Sequence, residues 1–184
     1  MNVHLDTPPI AVPGETCTAI ITVENSSAVV RAFRLTVAGV GDWAHVVPDT
    51  LSLFPGETGQ ARLVFRPPAS PEVSAGDHPF AVRCAATDSD DVRVDEGTIT
   101  VARHTAIELN LRPSCARARR RATFRLHVTN VGNHPGRFQL SADDENQMLS
   151  FDLATPSVSL DAGETAIVRL KAVHAAARPG ENLP

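Results

Sequence analysis

Tyrosine is absent from this chain, and tryptophan and lysine occur once each, at Trp43 and Lys171. The three cysteines form no CxxC pair, and the seven histidines form neither HxH nor HExxH. The spacings that hold zinc are therefore missing. No Gly-x-Ser-x-Gly elbow and no glycine-rich phosphate loop is present, so nucleophilic and phosphate-loop chemistry have no carrier. No run of about 18 apolar residues occurs, and no helical membrane span is expected. Met1–Pro9 has neither the basic start nor the apolar stretch of a secretory leader. A cytoplasmic location is the expectation, or an extracytoplasmic one if the chain belongs to a longer membrane-attached protein. A net charge of -4 argues against general nucleic-acid binding. Without a catalytic constellation, a non-enzyme with no cofactor and no metal is expected.

What is present favours strands. There are 20 Val and 15 Thr, punctuated by 14 Pro and 11 Gly. β-branched residues suit a pleated, half-buried surface, and Pro and Gly cut elements short. Cys17, Ala19, Ile21 and Val23 alternate with Thr18, Thr22 and Glu24. The same period recurs at Phe33, Leu35, Val37, at Ala61, Leu63, Phe65, and at Phe80, Val82, Cys84. Thr50–Phe54 and Gly97–Val101 add two more segments. Short strands with turn signals every 8–12 residues predict a β-sandwich.

The pattern then recurs. Thr18–Asn25 aligns with Thr123–Asn130, and Phe33 and Leu35 align with Phe138 and Leu140. Leu51–Thr58, with its Gly-Glu-Thr turn, aligns with Val158–Thr165, and Gly76-Asp77 with Gly180-Glu181. A shared order of strand, Asn turn, strand, Gly-Glu-Thr turn and strand predicts two tandem immunoglobulin-like sandwiches, 1–103 and 104–184. The first copy continues beyond Gly76-Asp77 through two further strands. The second is expected to lack its last strands. A fragment of a longer chain is the first explanation, and the N-terminal part of a longer protein is the expectation. A sandwich completed by a strand from a partner is the other.

Phe54-Pro55-Gly56-Glu57-Thr58, Phe65-Arg66-Pro67-Pro68 and Ala75-Gly76-Asp77-His78-Pro79-Phe80 carry a family likeness. The chain resembles bacterial, actinobacterial-type tandem immunoglobulin-like modules, of the group associated with α-galactosidase-type enzymes and multidomain "hydrolytic" proteins. These motifs are turn and strand signatures without catalytic residues. The resemblance implies a spacer, scaffold or assembly module whose relatives continue past the point where this chain ends. It leaves open a carbohydrate-associated accessory role, for which Trp43 is the residue to test. Cys17 and Cys84 stand 67 residues apart, each on the apolar parity of its strand. That spacing fits the cross-sheet disulfide of immunoglobulin domains. The alternative is two buried thiols.

Charge is segregated. Residues 1–102 carry 6 Arg and 13 Asp/Glu, a balance of -7, and residues 103–184 carry 11 Arg/Lys and 8 Asp/Glu, a balance of +3. If residues 117–129 form one strand, Arg117, Arg119, Arg121 and Arg125 share a face, opposite Phe124, Leu126 and Val128. With Arg112 they are the candidate partner-binding residues. Guanidinium groups clamp carboxylates and phosphates bidentately, whereas a charged edge strand also simply resists aggregation. No aromatic residue interleaves the stripe, so base stacking is not expected. The Asp88–Asp91 run reads as an acidic hairpin loop without calcium-loop spacing. The function expected is a non-catalytic structural or protein–protein interaction module, binding a protein partner or a second copy. Carbohydrate, or an anionic surface, is the alternative partner.

Overall fold

The computed structural model describes residues 1–6, 8–118 and 120–174. The chain is all-β and divides into two compact units, Met1–His104 and Thr105–Pro184. The first unit contains β1 (Asn2–Leu5), β2 (Cys17–Glu24), β3 (Arg31–Ala38), β4 (Ala44–Val47), β5 (Thr50–Leu53), β6 (Thr58–Phe65), β7 (Gly76–Ala86) and β8 (Val92–Val101). Two antiparallel sheets, ordered β1-β2-β6-β4 and β5-β3-β7-β8, enclose one core. Ile21, Val23, Leu63 and Phe65 meet Phe33, Leu35, Val82 and Cys84 there, all at most 1% exposed. The alternation along each strand produces this, because successive side chains point to opposite faces.

β7 starts before the expected Phe80 and includes Pro79. It pairs with β3 only from Ala81 onward, so the amide that Pro79 lacks is not needed by that ladder.

The second unit contains β9 (Ile107–Arg112), β10 (Arg121–Asn130), β11 (Gly136–Gln139), β12 (Leu149–Leu153), β13 (Ser157–Leu160) and β14 (Thr165–His174). Its sheets run β12-β14-β10-β9 and β11-β13. Among the described residues the second of these has two strands, where the first unit has four. Nothing described stands in the places of β7 and β8. Phe33 and Leu35 are buried, whereas the aligned Phe138 and Leu140 are half-buried. On β9, Leu109 remains 56% exposed although it pairs with the buried Val128. The core is correspondingly small, centred on Val128, Leu160 and Val168.

The turns repeat atom for atom. Asn25, 1% exposed, donates from Nδ2 to Val29 O and Leu53 O, both at 2.9 Å. Asn130, also 1% exposed, donates from Nδ2 to His134 O at 2.9 Å and Leu160 O at 3.2 Å. Gly56 N donates to Asn25 O at 2.7 Å, and Gly163 N to Asn130 O at 2.8 Å. Gly56 and Gly163 hold φ of 75° and 79°, a conformation glycine adopts without a Cβ penalty. The Glu of each turn then accepts a backbone N–H: Phe54 N on Glu57 Oε2 at 2.7 Å, Asp161 N on Glu164 Oε2 at 2.8 Å. The Asn and the Gly-Glu-Thr motif are thus two halves of one pin between neighbouring loops.

Candidate functional site

The basic residues gather on the outer face of the β12-β14-β10-β9 sheet. Phe124, Leu126 and Val128 of β10 turn toward the core, which leaves Arg121, Thr123, Arg125, His127 and Thr129 outside. Register then decides their neighbours. Arg125 pairs with Arg112 on β9 and with Arg169 on β14. Three arginines therefore lie in one row across three adjacent strands, all exposed or half-buried. Thr123 pairs with Lys171 and Arg121 with Val173. This face carries five cations (Arg112, Arg121, Arg125, Arg169, Lys171) against the carboxylates of Glu108 and Asp152. Lys171 Nζ lies 3.6 Å from Asp152 Oδ2, an exposed ion pair. Arg169 is not visible as part of the stripe in the sequence, because it lies on a different strand. Its only signal is its outward parity on an alternating segment.

The stripe differs from expectation at its start. β10 begins at Arg121, not Arg117, and just before its first residue Arg120 O accepts His174 N at 3.0 Å. Arg117 lies in the exposed segment before β10, off the shared face. Arg119 lies outside the described residues.

Cys17 and Cys84 are free thiols, which corrects the disulfide expectation. Cys84 Sγ donates to Met1 Sδ at 3.3 Å, and the adjoining Asn2 pairs with Glu24. Cys17 opens the same strand β2, seven residues from Glu24, or about 23 Å along an extended chain. A disulfide needs Cα atoms within about 7 Å. Burial pushes the Cys84 thiol up to about 11, helped by the charge of Asp91 and opposed by the N-terminal ammonium. Burial raises Cys17 as well.

The other motifs are occupied by structure. Trp43, half-buried, contacts the rings of Phe65 at 6.0 Å and His78 at 5.7 Å. His134 bonds through Nδ1 to Pro135 O at 2.7 Å and through Nε2 to Thr105 Oγ1 at 2.8 Å, so both ring nitrogens are taken. Around the acidic loop, Asp88 lies 3.6 Å from Arg31, Asp91 lies 3.5 Å from Arg93, and Asp95 accepts Leu5 N at 2.9 Å. Among the described residues no three His, Cys, Asp or Glu side chains are grouped to hold a metal, and no helix is long and apolar enough to cross a membrane.

No protein-family model matches the chain, and no curated protein matches it. Solved structures do. A protein of unknown function from Porphyromonas gingivalis W83 is 15% identical, with 94% of this chain and 83% of that chain covered and a TM-score of 0.39. The Escherichia coli chaperone DraB is 12% identical, with 91% and 85% covered and a TM-score of 0.38. PapD-like domain 7 of human CEP192 is 16% identical, with 54% and 82% covered and a TM-score of 0.37. Scores this low carry no argument. The architecture stands on the strands and sheets themselves: this chain is an all-β protein of immunoglobulin-like sandwiches.

Proposed function

We propose that the chain is a non-catalytic protein-interaction module whose basic face, on β9, β10 and β14, contacts an acidic polypeptide. The observation that carries this reading is the row Arg112–Arg125–Arg169. Like charges directly opposite one another in a sheet destabilise it. An acidic partner offsets that repulsion, and Arg is the side chain suited to bidentate carboxylate recognition. Nucleic acid is the weaker reading, because the aromatic residue of β10, Phe124, faces inward and leaves no stacking platform.

The test is titration of the full chain with polyglutamate and with a single-stranded oligonucleotide of equal charge. Polyglutamate should bind, weakening at least ~10-fold between ~50 and 500 mM salt as screening shortens. Arg112→Gln, Arg125→Gln and Arg169→Gln combined should abolish binding without lowering stability. Equal binding by wild type and triple variant overturns the proposal, as does preference for the oligonucleotide.

A second reading has its own observation. The two-stranded β11–β13 sheet leaves Phe138 and Leu140 half-buried and Leu109 exposed. An added strand from a partner would cover them through main-chain bonds to β11. The carbohydrate-associated alternative rests on the sequence resemblance to modules found beside α-galactosidase-type enzymes. It requires sugar binding that weakens on Trp43→Ala.

A further inference from the structure

At one end of the basic face lies a depression of about 330 Å³, lined by Arg120, Arg121, Thr123, Lys171 and their neighbours. Two strands build it. Arg121 and Thr123 occupy successive outward positions of β10, and Lys171 and Val173 occupy the positions opposite Thr123 and Arg121 on β14. Arg120 sits just before the strand, its carbonyl accepting His174 N at 3.0 Å. The lining thus includes three cationic residues and one hydroxyl donor, and the Arg112–Arg125–Arg169 row adds positive charge beside it.

A single carboxylate offers two oxygens and one charge, which one guanidinium satisfies bidentately. Three cations with a hydroxyl exceed that demand. They match a tetrahedral dianion with three terminal oxygens, taken by two guanidinium forks, an ammonium and a threonine hydroxyl. We infer that the depression is a site for a phosphoryl group carried on a side chain of the acidic partner. This inference rests on the proposed acidic-partner surface and names its anchoring group.

Asp152 Oδ2 lies 3.6 Å from Lys171 Nζ, one of the cations of the depression. Exposed ion pairs of this kind hold weakly, so an arriving dianion displaces it and releases the ammonium. Asp152 therefore acts as an internal competitor for the site.

The experiment titrates the full chain with three pentapeptides. Each has four aspartates around a central phosphoserine, glutamate or serine. The phosphoserine peptide should bind at least ~10-fold more tightly than the glutamate peptide. Arg121→Gln and Lys171→Gln should each erase that difference, whereas Arg112→Gln should weaken the phosphoserine and glutamate peptides alike. Asp152→Asn should tighten the phosphoserine peptide, a gain that a purely structural role for these residues would not produce. Inorganic phosphate should compete for the phosphoserine peptide. Equal affinity for the phosphoserine and glutamate peptides overturns the phosphoryl site and leaves the acidic-surface reading standing. Failure of all three peptides to bind overturns both. Preference for phosphoserine that survives Arg121→Gln and Lys171→Gln overturns the location.

Discussion

Replacing Asn25 by alanine should destabilise the first unit by about 3 kcal/mol. The side chain is 1% exposed and makes four hydrogen bonds. Its Nδ2 holds the carbonyls of Val29 and Leu53, and its Oδ1 accepts from Ser27 N at 3.1 Å and Ser27 Oγ at 2.7 Å. The bond to Leu53 is fully buried and contributes about 1.5 kcal/mol, the Leu53 carbonyl keeping its ladder partner Arg31. The partners at Val29 and Ser27 are only part-buried, and water replaces them at about 0.5 kcal/mol each. Asn25→Asp keeps the shape but turns a carboxylate oxygen toward two carbonyls. The folded-state pKa of the new carboxyl must then rise above the ordinary ~3.9. Protonation at low pH relieves the repulsion, so the penalty grows as pH rises through that value. Trp43 is the chain's one tryptophan and lies in this unit, so its fluorescence during urea unfolding reads the right transition. With a slope of about 1.5 kcal/mol per molar, the midpoint for Asn25→Ala should fall by about 2 M. A loss under about 1 kcal/mol, or an Asn25→Asp penalty relative to the unsubstituted chain that is smaller at pH 7 than at pH 3, would refute the reasoning.

Stability should also fall as pH rises from about 9 toward 11, because the unfolded chain releases the Cys84 proton while the folded chain, with its thiol near 11, retains it. With no tyrosine and a single lysine the thiols dominate the alkaline limb, Cys17 contributing in the same direction, and Cys84→Ala should make it shallower; an unchanged slope counts against the assignment. Light scattering across concentration tests strand addition at β11: mass should grow with concentration, and Phe138→Asp should abolish the growth. A monodisperse monomer that melts cooperatively excludes that reading. Combining Arg112→Gln, Arg125→Gln and Arg169→Gln should raise the urea midpoint slightly at low salt, and a lowered midpoint would show that the row is structural.

Much of the fold is written in local pattern. The alternation of Cys17–Glu24 and of Arg121–Asn130 is a property of a few neighbouring residues, and strand geometry converts it directly into an inner and an outer face. The paired Asn and Gly-Glu-Thr signals are equally local, because each sits where the backbone must turn. The parity of Cys17 and Cys84 was legible for the same reason, and both thiols do belong to the apolar side of their strands. Their separation along β2 was not legible, because the end of a sheet that a residue occupies depends on the register of strands far apart in sequence. The same limit hid Arg169, which meets Arg125 across a ladder 44 positions away. It also misplaced Arg117, since where β10 starts depends on its pairing with strands far apart in sequence. Sequence alone therefore determined which side chains face out and where the chain turns, since both follow from the period of a strand and the chemistry of single residues. Only the tertiary structure decided which outward charges share a row and which thiols stand apart, because cross-strand register is a non-local quantity fixed by the packing of the whole sandwich.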